Sequence, residues 1–231
     1  MSPRPIQIPV AGTALHVSGL LTQPPSAGSF CVLAHGAGAG MRHPFMTAVA
    51  NGLAAAGVGS LRYQFPYMEA GRRRPDPPHL LEATVRSAVR FGVERAEGLS
   101  VFCGGKSMGG RMSSRAASVD GLPGVRGLIF LGFPLHPPGK PGTSRAEHLY
   151  GLDFPMLFLQ GTRDPFAQLD LLSPVCEKLG SRVTLHVVED GDHSFKVRKR
   201  SGRAEAAVLD ELVETISGWI GRIVDVPLRQ R

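Results

Sequence analysis

From residue 30 onward the chain alternates two patterns: short apolar runs, and longer stretches whose apolar residues recur every three or four positions. The runs fall at 30–34, 58–62, 100–103, 125–131, 156–159 and 183–188. Runs this short predict strands buried on both faces. Between them, 45–56 is rich in alanine and stops at Gly57, 80–96 repeats Leu81, Val85, Ala88 and Val89, and 111–119 follows a glycine pair. Later, 174–179 opens on a proline, and 204–223 carries Leu209, Leu212, Ile216, Trp219, Ile220 and Ile223 on one stripe. These spacings predict helices, with Gly57 as a C-terminal stop and Pro174 in a first turn, where no N–H is needed. Residues 7–21 alternate in twos around Ala11-Gly12, which predicts an antiparallel hairpin.

Strands alternating with helices imply an α/β architecture: a doubly wound, mostly parallel eight-stranded sheet with an antiparallel N-terminal hairpin. No repeat and no linker divides the sequence, so 1–231 reads as one domain, and the Pro/Gly-rich piece 133–142 reads as a surface loop. A length of 231 residues with 42% hydrophobic content supports a sizeable core. No stretch approaches the ~18 apolar residues of a membrane span, and the first nine residues lack the apolar segment of a secretory signal, so the expectation is a cytoplasmic protein with no membrane partner.

Lys and Arg outnumber Asp and Glu by 26 to 19, a net charge of +7, yet only 19% of residues are charged. The excess points to an anionic partner at most. Nucleic acid is disfavoured because no recognition motif or aromatic stacking platform accompanies the charge. Cys31, Cys103 and Cys176 form an odd set without Cys-x-x-Cys spacing, and the histidines show no H-E-x-x-H pattern, so neither a disulfide framework nor a metal site is expected.

The sharpest chemical signal is Gly105-Lys106-Ser107-Met108-Gly109, a G-x-S-x-G placed between a predicted strand and a predicted helix. At such a turn the serine is held in a strained conformation above the sheet, while the flanking glycines let strand and helix approach. Gly105-Lys106-Ser107 also mimics the end of a phosphate-binding loop, but Ser100 stands where that motif needs its first glycine. A serine hydroxyl needs a base, and the base a carboxylate to orient it. Asp164, in Gly161-Thr162-Arg163-Asp164-Pro165, follows one predicted strand, and His193, in Gly191-Asp192-His193-Ser194-Phe195, follows the next. Both fall at the sheet edge where doubly wound folds collect their sites. Two N–H donors for an oxyanion are expected at Met108 and at Ala37, in the glycine-rich stretch 34–40, with His35 fixing that loop.

These motifs resemble the α/β-hydrolase superfamily in its small, dienelactone-hydrolase-like branch. The segments 33–38, 105–111 and 62–67 resemble a group with bacterial members and eukaryotic relatives found in a chromatin-modifying complex. The resemblance spans about residues 7–223 and implies a serine hydrolase acting on a carboxylic ester or thioester without a cofactor. Ser107 stands where dienelactone hydrolases proper use a cysteine. The alternative that the resemblance leaves is a catalytically silent fold that serves as a binding module or complex subunit.

Only about 24 residues separate Leu131 from Met156, too few for a helical cap domain. A shallow, open site is therefore expected, with Tyr63, Phe65, Tyr67 and Phe133 as candidate walls. Arg62, the run 72–74, Arg111, Lys196 and the run 198–200 are expected to converge on the same edge and to favour anionic substrates. The sequence leaves the oligomeric state open.

Overall fold

The computed structural model describes residues 2–225. One eight-stranded sheet organises them, in the order β1 (Arg4–Pro9), β2 (His16–Thr22), β4 (Val58–Tyr63), β3 (Ser29–Ala34), β5 (Ser100–Lys106), β6 (Val125–Leu131), β7 (Met156–Gly161) and β8 (Val183–Val188). β1 pairs antiparallel with β2 and β2 with β4, and every other pairing is parallel. β3, β4 and β7 are buried at every position, as strands covered on both faces must be. β1, at the edge, alternates and tolerates two prolines.

Helices cover both faces. α1 (Pro44–Ala55) and α6 (Glu205–Val224) pack one face, where Met46, Val49 and Leu53 meet Leu212, Ile216 and Trp219. α3 (Pro78–Arg95), α4 (Met108–Asp120) and α5 (Leu169–Leu179) pack the other, around Phe130, Phe158 and Met112. A single-turn α2 (Pro66–Glu69) follows β4. No cap domain interrupts the order; after β6 the chain forms only a short 3-10 helix, Ser144–Gly151. Among the described residues no helix is long and apolar enough to cross a membrane.

Three local expectations change. α5 begins five residues earlier than the proline suggested, with Pro174 inside the helix. An interior proline forfeits one helical bond and crowds the preceding turn, but buried Leu172, Val175, Cys176 and Leu179 hold the segment against the core. α4 starts at Met108 rather than Arg111, immediately after Ser107. The stretch 133–142 is only half a surface loop: residues 133–136 are buried and exposure begins at Pro138. Phe133 packs on Phe130 and Phe158 at 5.2 and 5.7 Å between ring centres, and the His136 N–H bonds the Phe166 carbonyl at 3.1 Å.

Candidate active site

The chain runs from β3 outward to β4, then crosses back to β5 on the other side of β3. Loops diverge at such a switch point and leave a crevice at the carboxyl edge of the sheet. The register aligns that edge. Ala34 pairs with Gly105, Lys106 with Leu131, Leu131 with Leu159, and Gly161 with Val188. The segments that begin at His35, Ser107, Gly132, Thr162 and Glu189 therefore emerge side by side.

Ser107 makes the whole turn from β5 into α4, with φ 51° and ψ −117°. This left-handed conformation costs any side-chain-bearing residue about 1–3 kcal/mol. Neighbouring glycines make the turn sterically possible: a Cβ at Gly105 would lie 2.1 Å, and one at Gly109 2.5 Å, from the Ala34 carbonyl oxygen. Ser107 Oγ stands 2.8 Å from His193 Nε2, and His193 Nδ1 stands 2.7 Å from Asp164 Oδ2. A carboxylate on Nδ1 fixes the proton there and leaves Nε2 to accept from the hydroxyl. The sequence expectation placed these three residues on three separate loops; the fold brings them into one line.

Four neighbours hold that line, and the sequence reading missed their part. Gln160 Nε2 donates to Asp164 Oδ2 at 2.5 Å while its Oε1 accepts the Phe133 N–H at 3.1 Å. The Phe166 N–H donates to Asp164 Oδ1 at 2.8 Å, and the Phe166 ring lies 4.4 Å from the His193 ring. Lys106 Nζ donates to the His193 carbonyl at 2.5 Å and sits 5.4 Å from the centre of the Phe195 ring. Burial pulls the Lys106 ammonium down to about 8, opposed by Asp164 and Asp192. Gly132, at φ 72°, leaves the space these groups occupy: a Cβ there would lie 3.0 Å from Lys106 Nζ and 3.5 Å from Asp164 Oδ2. Gln160 did leave a trace, as the one polar side chain of β7, directly after its apolar run.

The loop after β3 lies against the serine, with a Cβ built on Gly36 only 3.7 Å from Ser107 Cβ. Its Ala37 N–H and the Met108 N–H at the first position of α4 make no hydrogen bond among the described residues. His35 anchors the loop. Its Nδ1 lies 2.7 Å from the Gly36 carbonyl, and its Nε2 accepts the Phe65 N–H at 3.1 Å, which together require the neutral ring. Burial holds His35 down at about 4, against the raising effect of the Gly36 carbonyl.

The proposed walls and one proposed cation turn out to be struts for this loop. Tyr63, Phe65 and Tyr67 are fully buried: Phe65 stacks on Tyr67 and meets Tyr63 and His35 edge to face. Tyr67 Oη accepts the Gly38 N–H at 3.2 Å. Arg62 is 1% exposed and donates through Nη1 to the Met41 carbonyl at 3.1 Å and Thr47 Oγ1 at 2.7 Å. Phe133 is 1% exposed in the core. These residues sit at or just beyond strand ends, as expected, but their side chains point inward, so they shape the site from behind and cannot line it. Arg111 does remain partly accessible, in the first turn of α4. Of the other cations, Arg72 is tied to Asp76 at 2.7 Å and Arg198 to Asp190 at 2.6 Å, so part of that charge is already neutralised.

The His35 geometry predicts acid sensitivity. Its folded-state value lies below the ordinary 6.5, so between those two pH values the unfolded chain binds the extra proton. Stability is therefore complete above pH 6.5 and is lost as pH falls towards 4, by roughly 3 kcal/mol from this ring. Denaturant midpoints measured from pH 7 to 4 should show a steeper acid loss in the wild type than in His35→Gln. Equal slopes would remove His35 from this role.

The fold recurs in solved structures. The chain superimposes on a dienelactone hydrolase from Anabaena variabilis with a TM-score of 0.76 at 20% identity, over 96% of this chain and 99% of that one. An α/β serine hydrolase without lid from Xanthomonas campestris gives 0.73 at 18% identity, over 99% and 98%. The esterase domain of a Rhodothermus marinus protein gives 0.72 at 14% identity, over 96% and 99%. At these identities the likeness concerns the fold. The sequence itself, over residues 27–221, matches the family described as the alpha/beta hydrolase domain, and to that family this chain belongs.

Proposed function

We propose that the protein is a single-domain serine hydrolase that cleaves a carboxylic ester or thioester through an acyl-enzyme, and that its place is in the small, dienelactone-hydrolase-like branch. The observation that carries this reading is the unbroken line from Ser107 Oγ through His193 to the buried Asp164 carboxylate, at 2.8 and 2.7 Å. In this reading Ser107 Oγ attacks the carbonyl carbon while its proton passes to His193 Nε2. Asp164 orients the ring and stabilises the imidazolium. The tetrahedral oxyanion accepts from the Ala37 and Met108 N–H groups, which have no competing partner among the described residues. On collapse, His193 returns the proton to the leaving oxygen or sulfur. Water then enters, gives a proton to His193 and its oxygen to the acyl carbon, and the acid leaves as Ser107 recovers its proton.

Gln160, Phe166 and Lys106 act as positioning residues: the first two fix Asp164, and Lys106 ties down the His193 backbone. An anionic substrate suits the net charge of +7.

Turnover of a series of p-nitrophenyl esters from acetate to decanoate tests the reading. Hydrolysis is expected, with kcat/KM highest for short acyl chains, because Ala37 and Gly38 are exposed beside the serine and no cap encloses it. A strong preference for long chains would contradict the open site. No hydrolysis of any ester by folded protein would contradict the enzyme and favour a silent fold that works as a binding module.

A further inference from the structure

We propose that Arg111 and Arg145 form an anion subsite beside Ser107 that receives the far end of the acyl group, so that the preferred substrates are monoesters of short dicarboxylic acids. The inference rests on the serine-hydrolase reading for the position of the reacting carbonyl.

Arg111 stands four residues after Ser107, in the first turn of α4, where its backbone N–H donates to the Ser107 carbonyl at 3.1 Å. Long side chains on a helix lean back towards its N-terminus, the end at which Ser107 stands. Arg145 arrives from the 3-10 helix Ser144–Gly151. That helix is seated on α4 by buried Ala146 and Leu149 and by the 2.8 Å contact between His148 Nε2 and Ser114 Oγ. The short segment after β6 thus builds no lid, but it delivers a second cation to the first turns of α4.

The charge there is not balanced within the chain. Glu82, the carboxylate acting on Arg111, is already bound by Arg115 at 2.6 Å. Arg111 Nε is buried without a hydrogen-bond partner, and neither Arg111 nor Arg145 forms an ion pair among the described residues. Burial, then Arg145 and Arg115, bring Arg111 down to about 10, and burial with Arg111 and Arg115 holds neighbouring His148 at about 4. Both displacements report an excess of positive charge in a partly desolvated place. A carboxylate bridging the two guanidinium groups would relieve it through charge-assisted bonds of matching planar geometry.

The orientation selects the acyl end. The leaving oxygen must face His193 Nε2, and the His193 loop is anchored by Phe195, stacked on Phe45 at 5.7 Å, to the face covered by α1 and α6. Ala146, Leu149 and Met112, which seat the arginines, belong to the opposite face. The acyl group, directed away from His193, therefore runs towards Arg111 and Arg145.

Rates of ethanol release from monoethyl succinate and monoethyl glutarate, compared with the ethyl esters of the corresponding carboxamides, test the subsite. The wild type should favour the carboxylates by about 10-fold or more in kcat/KM, chiefly through KM. The ratio should fall towards unity in Arg111→Gln and substantially in Arg145→Gln, and should persist in Arg90→Gln, an exposed arginine on α3. A wild-type ratio near unity with brisk neutral-ester turnover would overturn the subsite and leave the hydrolase standing. If no ester is hydrolysed, the hydrolase reading fails, and calorimetry with glutarate decides the subsite alone. Binding that is lost in Arg111→Gln supports it, and absent binding overturns it. Inorganic phosphate binding more tightly than glutarate would overturn the carboxylate assignment.

Discussion

Replacing Ser107 with alanine is expected to lower ester hydrolysis by about 10⁴-fold or more in kcat, with the thermal midpoint nearly unchanged. Only the hydroxyl is removed, and among the described residues its one hydrogen bond is with His193. The strain at φ 51° stays, since alanine suffers it as serine does. Ser107→Gly should be equally inactive but more stable, by up to about 1 kcal/mol, because glycine adopts positive φ without steric cost. Denaturant unfolding of the three proteins alongside esterase assays reads both quantities. Activity and stability moving in opposite directions at one residue is the signature of a conformation kept for chemistry. A glycine variant less stable than wild type would mean that the turn is not strained.

Gly104→Ala is expected to prevent folding. Gly104 lies in β5 between β3 and β6, and a Cβ there would sit 1.9 Å from the Ile129 carbonyl oxygen and 2.7 Å from its carbonyl carbon. Paired strands are held about 4.8 Å apart by their ladder bonds, so the methyl can be accommodated only by parting β5 from β6 directly beneath Ser107. A cost above about 4 kcal/mol is expected, a large share of the total stability of an ordinary domain. Gly221→Ala in α6 provides the contrast. Nothing lies within 4 Å of its Cβ, and alanine should stabilise that helix by up to about 1 kcal/mol. Soluble, well-folded Gly104→Ala with a wild-type melting curve would refute the close approach.

The sheet was readable from the sequence wherever both faces of a strand are covered. The 30–34 run carries no polar residue because neither side of β3 meets water. The serine, histidine and aspartate were readable for a related reason: each follows the end of a strand, and parallel strands in register deliver their ends to one edge. Side-chain direction was not readable. Arg62 and Tyr63 occupy the end of β4, where a rim residue would stand, yet both turn into the core, and only the packing of the neighbouring loop and α1 decides this. Pro174 misled for a similar reason, since a local rule about first turns was outweighed by four buried side chains on the same helix. The 3-10 helix at Ser144–Gly151 has no strong periodicity of its own and owes its place to α4.

The central claim is that Ser107 is an activated nucleophile, and covalent labelling tests it most directly. Folded protein treated with a fluorophosphonate should gain one phosphonyl group by intact mass, with loss of fluoride, and peptide mapping should locate it on Ser107. Ser107→Ala should gain none, and His193→Gln should label far more slowly. Wild-type protein that stays unlabelled while fully folded, or that is labelled at another residue, would contradict the account.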